Sequence, residues 1–182
     1  MSDLSAFFDT ELGIGVITVR MLLAAVLGGV IGFDREYLAR PAGMRTHILV
    51  ALAAATFAVV TLELMEHAIG EGVRSADPIR VIEAVTAGVA FLAAGTIIFS
   101  RGEVHGLTTG AGLWLAGAVG VACGVGYFFI ALLATVLAMF VLVVLRWAEG
   151  VMPQKPGAED RARAAGGGTG GAPTREPPAP GA

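Results

Sequence analysis

The chain has 182 residues, 55% of them hydrophobic and only 15% charged, with a formal net charge of −3 at pH 7. Soluble domains carry roughly 25% charged residues. With 26 glycines and a mean hydropathy of +0.77, this composition excludes an ordinary soluble domain and predicts an integral membrane protein. The small net charge gives no reason to expect a nucleic-acid partner, and Cys123, being alone, excludes an intramolecular disulfide and a cysteine-built metal site.

In chain order, residues 1–11 form a short polar segment with Asp3, Asp9 and Glu11. It lacks the basic start of a cleavable leader, so the first apolar run is expected to be retained. Apolar blocks follow at 12–33, 46–64, 81–99 and 110–145. A hydrocarbon core of about 30 Å needs roughly 20 helical residues. The last block, 36 residues long, is therefore expected to hold two helices that turn near Cys123-Gly124-Val125-Gly126-Tyr127. The predicted fold class is an all-α polytopic membrane protein, a compact bundle of about five transmembrane helices spanning residues 12–149. Residues 150–182, rich in Gly and Pro, are expected to be a disordered tail.

Lys and Arg concentrate between the first two blocks, at Arg101, and after the last block, which predicts an N-out, C-in orientation. Small residues recur at four-residue spacing. Ala24, Gly28 and Gly32 line the first helix, Ala84, Gly88 and Gly95 the third, and Gly112, Ala116, Gly120 and Gly124 the fourth. Helices in lipid associate through such close approach. Packing within one chain is the expectation, and a homo-oligomer built across one ladder is the alternative.

Three charges fall inside the apolar blocks on the outer side: Arg20, Glu63 and Glu83. An arginine at mid-span costs about 2.5–3.5 kcal/mol, so a pairing of Arg20 with Glu63 or Glu83 is expected to offset the burial of both. A polar path or ion-sensing cluster is the other reading. On the cytoplasmic side, GFDREYLARPAGMRTHILV contributes Asp34, Arg35, Glu36, Arg45 and Thr46, and the third connection contributes Arg101, His105, Thr108 and Thr109. In a bundle these converge on one polar surface. The arginines can pair with Asp34 and Glu36, or hold a partner's carboxylate or a phosphate. An all-oxygen Mg²⁺ site from Asp34, Glu36 and the threonines is weakened by the same arginines, so no metal ligand is assigned and no cofactor is expected. His47, His67 and His105 read as interfacial residues. No nucleotide-binding loop, HExxH or serine nucleophile motif is present, which argues against an enzyme.

The ordered set GGVIGFDRE, PAGMRTHILV, TAGVAFLAAGTIIF and VHGLTTGAGLWLAGAVGVACGVG resembles the membrane domain of the MgtC/SapB family over residues 19–146. The acidic-Arg-Glu step matches Asp34-Arg35-Glu36, the AGLRT step matches 42–46, and the GLTTA step matches 106–110. Met44 stands for the usual Leu, Ala90 and Ala93 for common glycines, and Gly110 for Ala. The soluble C-terminal domain of the longer branch has no counterpart, so the likeness is to the shorter, SapB-like form. The resemblance implies a bacterial inner-membrane protein of magnesium homeostasis. It suggests a regulator that contacts a partner membrane complex, with the F-type ATP synthase as one candidate. The alternative is a transporter or channel for Mg²⁺ or another cation.

Overall fold

A chain segment in lipid has no water to satisfy its backbone groups, so long apolar runs fold as helices that bond within themselves. The computed structural model describes residues 10–38, 40–70, 77, 79–100 and 103–151. They form α1 (Ile14–Tyr37), α2 (Met44–Gly70), α3 (Ile79–Gly95), a hairpin of β1 (Ile98–Ser100) and β2 (Glu103–His105), α4 (Leu107–Val125) and α5 (Phe128–Val151). Within the helices, the hydroxyls of Thr18, Thr56, Thr61 and Thr135 each donate to the carbonyl four residues back at 2.8–2.9 Å, so none is left unsatisfied in the apolar phase.

Four of the helices, α1, α2, α4 and α5, are long and apolar enough to cross a membrane. The fifth, α3, has 17 residues. It rises about 26 Å at 1.5 Å per residue, short of the hydrocarbon thickness of about 30 Å. The 36-residue apolar block does divide in two. Gly126 takes a left-handed backbone (φ 99°) after α4, its N–H donates to the carbonyls of Ala122 and Cys123, and Tyr127 N–H reaches back to Ala122 at 2.8 Å. This Schellman-type stop needs glycine, because a side chain is strained at that φ.

The hairpin between α3 and α4 was not anticipated from the apolar pattern. Its strands pair antiparallel, with Ile98 opposite His105 and Phe99 opposite Val104. Gly106 then turns the chain into α4 at φ 88°, against the Thr96 carbonyl, where a Cβ has no room.

The chain divides into two units, residues 1–142 and 143–182. The second is described only through the end of α5, where Val143, Val144, Leu145 and Trp147 are exposed; the expected tail lies outside the described residues except for Gly150 and Val151, which belong to α5. All packing below belongs to the first unit.

Its centre is α4, which packs on α1, α2 and α3. Glycines set the separations. A Cβ at Gly120 would strike the Ala51 carbonyl, and one at Gly124 would lie 2.6 Å from the Ala55 carbonyl and 2.7 Å from the Ala58 methyl. On α1, a Cβ at Gly28 would stand 2.8 Å from both the Ala51 methyl and the His47 carbonyl, and one at Gly32 would stand 2.6 Å from Met44 Cα. These contacts make α1 antiparallel to α2, and α4 parallel to α2. The third ladder corrects the expectation. A Cβ at Gly88 or Gly95 meets nothing within 4 Å. Instead α3 rests on α4 through Val85 and Val89, with Val89 against Gly117, while Ala84 and Gly88 border an open apolar groove of about 460 Å³ beside Phe57 of α2.

Gly120→Ala is expected to lower stability by about 1–3 kcal/mol, the usual range for overpacking. Gly88→Ala is expected to be neutral, or stabilising by up to about 1 kcal/mol through helix propensity. Thermal unfolding of the two variants in one detergent checks the contrast. In a Cys123→Ala background, single cysteines at positions 70 and 103 are expected to label from opposite sides of the membrane, and labelling from one side would break this helix order.

Candidate functional site

The helix order gathers the C-terminal ends of α1 and α3 with the N-terminal ends of α2 and α4. Four polar side chains are buried there: Asp34 (8% exposed), Arg35 (4%), His47 (0%) and Thr109 (2%). Glu36, Arg45, Thr46 and Thr108, also expected at this surface, are exposed. The predicted convergence is thus present, with its members divided between interior and rim.

Three of the placed groups, Arg35, Thr109 and Glu36, bond across elements. Arg35 Nη2 donates to the Thr109 hydroxyl at 2.5 Å, tying the last turn of α1 to the first turn of α4 across 74 residues of sequence. Glu36 Oε2 accepts the backbone N–H of Met44 at 2.9 Å, which satisfies an orphan donor at the start of α2 and places a negative group at its positive end. The carboxylate of Glu36 is therefore engaged. Among the described residues there is no group of three or more His, Cys, Asp or Glu placed to hold a metal ion.

His47 departs from the interfacial position expected of it. It is fully buried, not interfacial, and lies on the same helical face as Val50, Ala51 and Ala54. That spacing of three, four and seven residues was visible in the sequence, and it separates His47 from its exposed neighbours Arg45 and Thr46. Its Nδ1 lies 2.9 Å from the Gly43 carbonyl. A carbonyl can only accept, so the proton sits on Nδ1 and a neutral ring leaves Nε2 as an acceptor. That atom is buried without a partner and faces Gly112 of α4, where a Cβ would approach to 3.1 Å.

The opposite end corrects a second expectation. Arg20 does not pair with Glu63 or Glu83. Its Nη1 donates to the Gly124 carbonyl at 2.8 Å, and its guanidinium lies against Gly126 at the end of α4. Glu63 accepts the backbone N–H groups of Glu11 and Leu12 at 2.8 and 2.9 Å, just ahead of α1. Glu83 is exposed on α3. The reason is common to both bonds. Helix ends carry orphan carbonyls and amides, and these lie closer to each charge than the opposite charge does. A cation on the C-terminal end of a helix is also favoured by its dipole.

Long apolar helices closed on one another through small residues, with charges held at their ends, define a multi-pass α-helical membrane protein. The MgtC family profile matches residues 21–151, and the chain belongs to that family. It is 44% identical over 124 residues to Protein MgtC of Brucella abortus, a match covering 68% of this chain and 48% of the relative. It is 36% identical over 139 residues to an uncharacterized protein of Haemophilus influenzae, covering 72% and 58%. It is also 32% identical over 126 residues to YhiD of Escherichia coli K12, provisionally named a magnesium transporter, covering 69% and 59%. The chain thus spans about half the length of the curated relatives it matches. No solved structure matches it significantly.

Thr109→Val removes the acceptor of the Arg35 Nη2 donor. It is expected to destabilise the protein by about 1–3 kcal/mol, the penalty for an unsatisfied buried polar group. Thr109→Ser keeps the hydroxyl and is expected to stay near wild type. Unfolding temperatures of the pair separate the lost bond from lost volume.

Proposed function

We propose that this chain is a non-enzymatic regulator of magnesium homeostasis in the bacterial inner membrane. In this reading it acts by contact between its polar helix ends and a partner membrane complex. Membership of the MgtC family and the names of the relatives support the link to magnesium. The F-type ATP synthase is the partner that the family resemblance suggests. The exposed Glu36, Arg45, Thr46 and Thr108 form the rim available for such contact.

One observation carries the preference for regulation over transport. Along α1, the half-buried Arg20 and the buried Arg35 are separated by Ala24, Leu27, Gly28, Ile31 and Gly32, all buried against neighbouring helices. Fifteen residues at 1.5 Å place about 22 Å of close-packed apolar surface between the two polar ends. An ion crossing this interface would lose its hydration with no carboxylate on the way, and intramembrane carboxylates are the usual mark of an ion path. Cation transport is the second reading, and the provisional name of YhiD favours it.

Purified protein in liposomes is expected to show no saturable Mg²⁺ flux above empty liposomes, as read by an entrapped Mg²⁺ indicator. Photo-cross-linking in cells from positions 36 and 45 is expected to capture a membrane protein other than this chain. Saturable flux that is lost in Glu63→Gln or Glu83→Gln would replace regulation with transport.

A further inference from the structure

Arg35 is held in an unusual way. Only 4% of its surface is exposed, its Nε is buried with no partner, and the bond to the Thr109 hydroxyl uses only Nη2. Among the described residues its bonded acceptor is a hydroxyl, while the neighbouring carboxylate of Asp34 is buried at the same end of α1. A neutral hydroxyl does not balance a guanidinium. Buried charges persist when an opposite charge and further hydrogen bonds complete their shell.

The group that Arg35 faces is also short of a partner. Helix α4 begins at Gly106, which has no side chain to cap the first turn, and no side-chain cap bond forms there. The N–H groups of residues 107–109 precede the first intrahelical bond, made by Gly110 N–H to the Gly106 carbonyl. They are orphan donors at the positive end of the helix dipole. A buried guanidinium and a helix N-terminus are thus two positive groups held together by the Arg35–Thr109 bond. Their mutual repulsion is relieved by an anion that accepts from both.

The place selects the anion. The ends of spanning helices lie at the level of lipid phosphates, and the same elements carry exposed apolar side chains, Phe33 on α1, Phe99 and Val104 on the hairpin, and Leu107 on α4. We propose that Arg35 and the first turn of α4 bind one phosphoryl oxyanion, with Arg35 Nε–H and the amides of residues 107–109 as donors. A phospholipid headgroup and inorganic phosphate offer the same chemistry. The proposal holds whether the protein regulates or transports.

The full chain is titrated in zwitterionic detergent with inorganic phosphate, and separately in nanodiscs of phosphatidylcholine with increasing phosphatidylglycerol. At least one probe is expected to raise the unfolding temperature saturably. Arg35→Gln is expected to weaken that response at least tenfold, while Arg45→Gln, an exposed charge on the same face, changes it less than threefold. A response to inorganic phosphate assigns a soluble ligand, and a response to phosphatidylglycerol alone assigns a lipid headgroup. Both support the site. If neither probe stabilises the wild type, or if Arg35→Gln responds like wild type, the proposal fails. Nuclear magnetic resonance of the wild type decides the matter should the variant not fold. Shifts centred on the amides of 107–109 and on Arg35 Nε–H support the site, and shifts that leave these resonances unmoved overturn it.

Discussion

The approach of α4 to α2, backbone against backbone at Gly120 over Ala51 and at Gly124 over Ala55, is the contact on which the other packing depends. Lipid supplies no hydrophobic drive for helices to meet, so attraction comes from dispersion, which acts only at close range. Side chains of one carbon or none allow that range. Once α2 and α4 are in contact, α1 closes on α2 through Gly28 and Gly32. Its last turn then reaches the first turn of α4, and Arg35 meets Thr109. The polar end of the unit is thus positioned by glycines up to two turns and more away from it.

Several charges among the described residues are matched to backbone groups. Arg20 takes a carbonyl at the end of α4, Glu63 takes two amides ahead of α1, and Glu36 takes the first amide of α2. Each bond fixes a helix terminus relative to another segment, so these charges hold the frame. Arg35 departs from this rule. It sits at the favourable C-terminal end of its own helix and at the unfavourable N-terminal end of α4, and the proposed anion site rests on that second position.

Hydropathy and glycine spacing made the helices, the turn at Gly126 and the gathering of polar groups at one end legible from the sequence. Apolar runs must fold as helices in lipid, and the lengths of the runs count them. The polar partners were not legible in the same way. Arg20, Glu63 and Glu83 carry complementary signs, yet the first two bond to helix ends, whose carbonyls and amides are invisible in a string of residue types. His47 was legible in principle from its face on α2 but was outweighed by the charged residues beside it.

Residue types and their order are enough to specify an all-α membrane protein with small-residue ladders and a charged connection between α1 and α2. Which ladders close and which stays open follows from the packing of the helices. Gly88 and Gly28 look alike in sequence, but a Cβ at Gly28 would meet Ala51, whereas one at Gly88 would meet no described residue within 4 Å. The same packing leaves Arg35 buried and Arg45 exposed, though both sit in one arginine-rich stretch. The physical reason is shared. Periodicity fixes the face of a helix on which a residue lies, whereas the rotation and partner of that face follow from contacts between segments far apart in the chain.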